Sequence, residues 1–371
     1  MAPKPTILVL GGVGFIGRNF VTYLVENDLA AEIRVVDKAL PETAYLNKRF
    51  KDNFAKVEVM QGNLCSPASV EKCFTRADGS SFDYVINLAA ETKFSQPKEV
   101  YQDRIVELSK LCGQEALKRN VKVFVQMSSG EVYEGSKSAS KEDSKTKPWN
   151  DIAKYKLEAD VALQELAQKG LNLVILRPAI VYGLGAVGGL TPRLICGRVY
   201  KKLDEKMKFL WTGDLRINTV HVEDVARAIF HTANWYISSG QAGAVIFNLA
   251  DENDTNQEVV NTHISSIFDI ETGFQGTATS TLAKLNMKGA TEDINDKHLP
   301  PWSNLLKEQD IRSTPLTPYL DQELLYDNAV SIDGTKVTVT TGFKYEHPKL
   351  HEKSLRIIIE DFQQMGIWPR D

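Results

Sequence analysis

Apolar and polar positions follow two alternating patterns in the first half of the chain. Short runs of β-branched and other apolar residues predict buried parallel strands. Longer segments with apolar residues at helical spacing follow most of these runs. This alternation predicts an α/β fold built on a Rossmann-like, doubly wound parallel sheet, with ligands bound at the carboxyl ends of the strands. The predicted strands are 6–10, 32–37, 56–60, 83–90, 121–127 and 171–176, and the predicted helices are 15–26, 66–75, 98–120 and 150–169.

The pattern changes in the second half of the chain. The polar stretch 276–316 is interrupted by Pro300 and Pro301, which predicts long loops. A short strand is expected at 335–340. Helices are expected at 192–202, 222–238, 258–269 and 350–365.

These patterns predict two domains of unequal size. We expect a dinucleotide-binding domain over 1–182, to which parts of 215–250 and 335–345 return. The remainder, 183–371, is expected to form a smaller α+β substrate or lid region.

Three glycines connect the first strand to the first helix. Gly11 suits a tight turn, Gly14 allows a pyrophosphate to approach the backbone, and Gly17 lets the helix pack closely on the strand. The amino terminus of that helix offers free N–H groups to phosphates. Asp37 ends the next strand, 20 residues after Gly17, where a carboxylate accepts hydrogen bonds from ribose hydroxyls.

The charge of Asp37 would repel a 2′-phosphate, so the sequence favours NAD over NADP as the cofactor. Lys38 and Arg18 are cations close to this position in the sequence, and they leave NADP open.

Composition narrows the classes of partner. The chain of 371 residues has a formal net charge of −4, so no basic field favours nucleic acid or an anionic membrane. The four cysteines show neither metal-ligand spacing nor a disulfide framework, and we expect no metal site. No apolar run is long enough to cross a bilayer. We therefore expect a soluble, cytoplasmic protein.

Several motifs together are similar to those of the extended short-chain dehydrogenase/reductase family. Its members include the epimerases and dehydratases of nucleotide sugars and their steroid-oxidising relatives. The resemblance implies the Rossmann-like fold over nearly the whole chain, with 342–348 as the last strand. The matching segments are 11–17, 87–90, 128–133, 176–183 and 220–226.

The resemblance also implies which residues bind the dinucleotide. Asn63 stands where the family has an acidic residue, and its amide oxygen can still accept a hydrogen bond from adenine. The implied cofactor-binding residues are Gly11, Gly14, Phe15, Ile16, Gly17, Asp37, Asn63, Leu64, Leu88, Ala89, Ala90, Lys156 and Pro178.

The family's chemistry requires a Ser or Thr, a Tyr and a Lys. Ser129 and Lys156 match the first and the last of these residues. The tyrosine is expected four residues before Lys156, where this chain has Ile152, which cannot carry a proton. In the dehydratase branch an Asp–Glu pair follows the Ser or Thr as acid and base. Here Gly130 replaces the Asp, whereas Glu131 remains.

Two tyrosines near this site are poor substitutes. Tyr155 lies three positions further along the helix than the expected tyrosine, and about 60° around it, so it should point elsewhere. Tyr133 belongs to a structural pattern of the family. The family's long fourth helix carries an Asn followed by Gly-Thr beside the cofactor, and the corresponding residues here are Arg104, Glu107 and Leu108.

Three residues near position 220 remain to be assigned. Arg216 lies about where nucleotide-sugar enzymes bind a substrate phosphate, although a surface arginine is an equal alternative. His221 and Asp224 are interpreted as structural residues, a partly buried histidine and an acid at a helix start.

The sequence leaves three hypotheses. The first is an NAD-binding protein of this fold with a degenerate active site and a regulatory or structural role in a larger assembly. The second is an active NAD(P)-dependent oxidoreductase, epimerase or dehydratase with a relocated proton carrier, acting on a nucleotide sugar or a sterol-like substrate. The third is a structural protein without a cofactor. The retained glycine turn and the missing tyrosine favour the first, with a dinucleotide as ligand and a protein partner or a homodimer left open.

Overall fold

The computed structural model describes residues 3–136 and 138–370 of the chain. The strands of the described part are β1 (Thr6–Leu10), β2 (Glu32–Asp37), β3 (Glu58–Gln61), β4 (Tyr84–Asn87), β5 (Val123–Met127), β6 (Leu173–Pro178), β7 (Ile180–Tyr182), β8 (Met207–Phe209), β9 (Thr219–His221), β10 (Ala244–Leu249) and β11 (Thr272–Phe274).

Helices alternate with these strands. The α-helices are α1 (Phe15–Glu26), α2 (Lys48–Phe54), α3 (Pro67–Phe74), α4 (Lys98–Tyr101), α5 (Leu108–Lys118), α6 (Asp151–Ala167), α7 (Thr191–Leu203), α8 (Val222–Ser238), α9 (Gln257–Phe268), α10 (Gly276–Leu285), α11 (Met287–Glu308), α12 (Thr335–Thr341) and α13 (Glu352–Gln364). Short 3₁₀ turns form at Pro41–Thr43, Gly130–Val132 and Gln322–Leu325.

The predicted α/β fold is confirmed. Seven parallel strands form one sheet in the order β10-β6-β5-β4-β1-β2-β3. Reversal of the strand order at β1 and β4 creates the switch point at which such sheets bind ligands. Strand β10, which the sequence pattern did not reveal, extends the sheet beside β6 in the register Ala244↔Leu173.

Both faces of the sheet are covered by apolar side chains. In β1, Ile7 and Val9 contribute to the core on one face, whereas Leu8 and Leu10 contribute to the core on the other. Successive side chains of a strand point to opposite faces, so a strand buried on both sides reads as a continuous apolar run. A further apolar core in the carboxyl-terminal half includes Trp302 and Trp368, whose rings pack edge to face.

The expectation of long loops over 276–316 is wrong for most of that stretch. Helices α10 and α11 occupy it, and Pro300 and Pro301 lie inside α11. Proline removes a backbone donor from a helix. The buried side chains of Trp302 and Leu305 anchor the same helix in the carboxyl-terminal core, so tertiary packing outweighs the local signal.

The expected strand at 335–340 is also wrong. Its β-branched residues form helix α12, and Asp333 Oδ1 accepts a hydrogen bond from the backbone N–H of Thr335, the first residue of the helix, at 2.9 Å. Val337 is fully buried, and Lys336 Nζ donates to the carbonyl oxygen of Ile246 at 2.9 Å, which seats the helix on β10. The family's last strand, expected at 342–348, is an irregular segment here.

The long helix expected at 98–120 contains an irregularity. Helices α4 and α5 are joined by a π-helical segment, Gln102–Glu107. Arg104 lies in it and donates to Glu91 Oε2 at 2.9 Å, while Leu108 is buried in the core. Short π-helical segments often occur at functional sites.

Candidate active site

The glycine turn after β1 leaves no room for side chains. Gly11 has a φ of +75°, and a Cβ there would lie 2.6 Å from the backbone nitrogen of Ala89. A Cβ on Gly17 would lie 2.5 Å from Cα of Gly12. Gly14 caps helix α1 without a side-chain hydrogen bond, so the first N–H groups of the helix lack a side-chain acceptor. This cradle fits the pyrophosphate of a dinucleotide.

Asp37 is fixed beside that turn. Its Oδ2 accepts a hydrogen bond from the backbone N–H of Val13 at 3.0 Å, and its Oδ1 accepts one from Ala39 at 3.1 Å. Arg18 donates to the carbonyl oxygens of Val13 at 2.9 Å and of Tyr45 at 2.8 Å. Because protein carbonyls already bind these guanidinium N–H groups, Arg18 is a poor candidate for a 2′-phosphate ligand.

The other expected cofactor residues lie along the same edge of the sheet. Asn63 is exposed, and its Oδ1 accepts from the backbone N–H of Cys65 at 3.1 Å. Leu64 is buried, whereas Leu88, Ala89 and Ala90 are half-buried after β4. Phe15 and Ile16 are half-buried in the first turn of α1, and Pro178 is buried at the end of β6.

Ser129 and Lys156 converge after β5. Ser129 precedes a 3₁₀ turn, and its Oγ accepts a hydrogen bond from the backbone N–H of Glu131 at 3.1 Å. Lys156 Nζ donates to the carbonyl oxygens of Ser128 at 3.1 Å and of Met127 at 3.3 Å. Burial lowers the pKa of Lys156, against the opposing effects of the nearby acids Asp160 and Glu131.

Ile152 occupies the expected tyrosine position in an apolar environment. Its residue surface is only 8% exposed, and it belongs to a cluster that includes Tyr101, Ile105 and Tyr155. The tyrosine at 155 stacks on Tyr101 with ring centroids 5.6 Å apart. No proton-carrying group is therefore supplied from residue 152.

The hydroxyl of Tyr133 belongs to a buried hydrogen-bond network. Its hydroxyl donates to Asn248 Oδ1 at 2.7 Å and accepts from Arg177 Nη1 at 3.0 Å. Arg177 also donates to Asp160 Oδ2 through Nε at 3.1 Å and Nη2 at 3.0 Å. Ser128 Oγ completes the network with a 2.8 Å bond to the same carboxylate oxygen. The sequence placed Arg177 within a family motif, but it gave no sign of this partner.

Glu131 follows Ser129 in the 3₁₀ turn and, with Asp160, is one of the two acids whose charge acts on Lys156. Asn150 Nδ2 donates to Glu131 Oε2 at 2.9 Å. Burial raises the pKa of Glu131, while the Asn150 hydrogen bond and the charge of Lys156 lower it and the charge of Glu323 raises it. A carboxyl group with a raised pKa is suited to general acid–base catalysis near neutral pH.

Asn150 also lines a cavity. Its volume is about 420 Å³, and its lining includes Asn150, Trp149 and Glu323. Glu323 lies in the 3₁₀ turn Gln322–Leu325, and its carboxylate accepts from the backbone N–H groups of Asp151 at 3.0 Å and Ser95 at 3.3 Å. This turn therefore connects the carboxyl-terminal half to the cavity and to the start of α6. The sequence did not reveal this contact.

Gly130 is packed too tightly to be replaced by the dehydratase aspartate. A Cβ at this position would lie 2.0 Å from Cδ1 of Ile332 and 2.9 Å from the carbonyl oxygen of Pro178. The packing around Gly130 therefore leaves no space for the aspartate that is the second acid of the dehydratase branch.

Replacing Gly130 with alanine should destabilise the protein by about 2 kcal/mol, since overpacking a filled core typically costs 1–3 kcal/mol. The double variant Gly130→Ala/Ile332→Val removes Cδ1, the nearest clashing atom, and should recover part of that loss. Urea denaturation of the wild type, both single variants and the double variant measures the coupling. Strictly additive effects of the two substitutions would refute this account of the packing.

The guanidinium group of Arg216 is already hydrogen-bonded within the protein, so it is not free to bind a phosphate. Its Nε donates to Asp254 Oδ2 at 2.8 Å, and Nη1 donates to the carbonyl oxygen of Asp214 at 3.0 Å. A substrate phosphate would have to share this guanidinium with Asp254. His221 caps helix α8, and Asp224 is fully buried and accepts from backbone N–H groups of Glu346 and His347, both at 2.8 Å.

Comparison with known proteins places the chain in a family. A family model described as the NAD dependent epimerase/dehydratase family matches residues 7–250. The chain therefore belongs to that family, which confirms the resemblance inferred from its motifs. None of the described helices is both long and apolar enough to serve as a membrane span.

Curated relatives are similar over about half of the chain. A dTDP-glucose 4,6-dehydratase of an Actinoplanes species is 29% identical over 189 residues, which cover 48% of this chain and 57% of the relative. A dTDP-D-glucose 4,6-dehydratase of Homo sapiens is 28% identical over 183 residues, covering 48% of this chain and 51% of the relative. The chain thus spans a little over half the length of these two relatives.

Solved structures of low sequence identity share the fold over almost the whole chain. The Bordetella bronchiseptica enzyme WbmG in complex with NAD and UDP has a TM-score of 0.68 at 15% identity, covering 99% of this chain and 97% of that one. MoeE5 in complex with UDP-glucuronic acid and NAD has a TM-score of 0.67 at 20% identity, covering 97% and 99%. The two curated relatives are named as dehydratases, which favours the active alternative over the degenerate-site hypothesis.

Proposed function

We propose that this chain is an NAD-dependent enzyme of the epimerase/dehydratase type that acts on a nucleotide sugar, with Glu131 as the proton carrier in place of the missing tyrosine. The observation that carries the proposal is the position of Glu131. It is bound to Asn150, adjoins Ser129 through the 3₁₀ turn and has a raised pKa.

The glycine cradle supports NAD as the cofactor. Gly11 and Gly17 let the turn pack directly against the backbone of Ala89 and Gly12, helix α1 begins after Gly14 beside this turn, and Asp37 is held at the end of β2 for the ribose hydroxyls. Arg18 is bound to protein carbonyls and is not available to a 2′-phosphate, whereas Lys38 beside Asp37 is exposed. When bound, NAD would accept a hydride from a substrate carbon.

The residues of the chain divide the remaining work. Ser129 orients a substrate hydroxyl, and Glu131 takes its proton as the carbon is oxidised and returns it in the reverse step. Lys156 holds the nicotinamide ribose and favours the ionised form of Glu131. The relatives named above act on or bind nucleotide-linked sugars, and this chemistry is the basis for proposing that substrate class here.

Two observations favour a second candidate function. Ile152 is sealed in an apolar cluster, and the hydroxyl of Tyr133 is engaged with Asn248 and Arg177. On that basis the chain would bind NAD without turnover and serve a regulatory or structural role in an assembly with a protein partner or a second copy.

Product analysis separates the two candidates. The protein is incubated with NAD and a panel of UDP-, dTDP-, ADP- and GDP-linked sugars, and the products are resolved by chromatography and mass spectrometry. An epimer of unchanged mass, or a product that has lost one water, supports the enzyme. NAD binding with no product from any member of the panel would favour the second candidate instead.

A further inference from the structure

Three side chains with metal-binding atoms meet at the start of helix α8, apart from the candidate active site. His221 ends β9, Glu223 lies in the first turn of α8, and His347 belongs to the irregular segment before α13. Glu223 Oε2 lies 2.9 Å from His347 Nε2 and 3.9 Å from His221 Nδ1. His221 Nδ1 also accepts the capping hydrogen bond from the backbone N–H of Glu223 at 3.3 Å, which an ion bound to this nitrogen would replace. One ligand atom from each residue lies within 4.8 Å of the others.

The separations suit a small tetrahedral ion. Zinc binds histidine nitrogen and carboxylate oxygen at about 2.0–2.2 Å, so adjacent ligand atoms of a tetrahedral site lie about 3.3 Å apart. The observed separations of 2.9 and 3.9 Å bracket that value. Two histidines and one glutamate form a known zinc ligand set, which leaves the fourth position to water.

The backbone around the three side chains is already in place. Asp224 accepts hydrogen bonds from the N–H groups of Glu346 and His347, both at 2.8 Å, and this fixes the segment that carries His347. The rings of His221 and His347 stack with centroids 3.8 Å apart. Tyr182 packs edge-on against the ring of His221 at 5.1 Å, and the two stacked imidazoles would turn apart for their in-plane lone pairs to meet at one ion.

The charges nearby permit a cation. Arg227 is neutralised by Asp224 at 2.7 Å and Glu346 at 3.1 Å, and Arg49 forms an ion pair with Glu26 at 2.6 Å. Glu223 remains the acid that faces both imidazoles.

We propose that His221, Glu223 and His347 bind one zinc ion. The ion would connect the segment around His347 to the first turn of α8, in addition to the hydrogen bonds of Asp224. His347 and Glu223 are partly exposed, with 28% and 46% of their side-chain surfaces accessible, so an ion can reach the site from solvent.

Calorimetric titration of ZnCl₂ into untagged, metal-free, full-length protein at pH 7.5 tests the proposal. We expect one ion per chain in the wild type. His347→Ala and Glu223→Gln should each weaken binding at least tenfold, and both are half-buried positions at which a folded variant is expected, to be verified by circular dichroism. Substitution with Co²⁺ should give the visible absorption of a tetrahedral site, and the same variants should lose it.

Two matched controls exclude other zinc ligands. His351 is exposed and lies four residues after His347, whereas Cys65 is a half-buried thiol far from His347 in the sequence. His351→Ala and Cys65→Ser should each bind zinc like the wild type. The proposal is overturned if the wild type shows no stoichiometric binding, if the His347 and Glu223 variants bind unchanged, or if either control loses the ion. NAD binding is not involved, so failure here leaves the proposed function untouched.

Discussion

Replacing Glu131 with glutamine is expected to reduce turnover of the nucleotide-sugar substrate by about 10²–10⁴, the range typical of general acid–base catalysis. The amide keeps the size of the side chain and can still accept the hydrogen bond from Asn150, so the site should remain assembled. NAD affinity should change little because Glu131 does not belong to the glycine cradle. The measurement is kcat and KM for the active substrate, beside a calorimetric titration with NAD.

The pH profile gives a readout that a structural role would not move. A carboxylate acting as the base must be ionised, and burial holds the pKa of Glu131 above its usual value. Wild-type kcat should therefore rise with pH over a range above that of an ordinary carboxyl group, and this rise should be absent from Glu131→Gln. Glu134→Gln is the matched control, since Glu134 pairs with Lys145 and Lys147 at the surface. Unchanged kcat in Glu131→Gln would rule out Glu131 as the proton carrier.

Replacing Arg177 with methionine is expected to lower the free energy of unfolding by about 3–5 kcal/mol, because the buried carboxylate of Asp160 loses the counter-charge that is hydrogen-bonded to it. Asp160 is fully buried and Arg177 is 3% exposed. The Tyr133 hydroxyl would also lose a donor. Chemical denaturation monitored by circular dichroism measures the change.

Two further variants calibrate this stability effect. The double variant Arg177→Met/Asp160→Leu removes both charges and should regain much of the loss, as replacement of a buried ion pair by apolar residues is often neutral. Arg49→Met breaks the surface pair with Glu26 and should cost about 0–1 kcal/mol. A small loss in Arg177→Met, similar to that of Arg49→Met, would mean that the buried network contributes little to stability.

Much of the fold follows from local patterns. Helix α1 and strand β2 have the predicted bounds because their apolar periodicity and their glycine and aspartate boundaries agree. The sequence failed where distant contacts override local preference. The β-branched residues of α12 pack as a helix on β10, and the two prolines of α11 lie within a helix anchored by Trp302.

The candidate site likewise combines residues that local motifs predict with contacts that only the folded chain creates. Ser129, Glu131, Lys156 and the glycine turn could be predicted as site residues because they lie in short, local motifs. The filling of the space at Gly130 by Ile332, and the contact of Glu323 with Asp151, join residues more than 150 positions apart. No local pattern encodes such contacts, so they appear only when the chain is folded.

The same limit applies to the proposed zinc site. His221 and Glu223 are two residues apart, but His347 lies more than 120 positions further on. Without the fold, His221 was interpreted as a structural residue alone, and no metal site was expected.

Calorimetric titration of the full-length protein with NAD and with NADP tests the central claim most directly. The account predicts one NAD per chain, weaker binding of NADP, and a marked loss of NAD affinity in Asp37→Ala but not in the surface control Asp28→Ala. Absence of binding by NAD, NADH, NADP and NADPH, in protein shown to be folded, would contradict it.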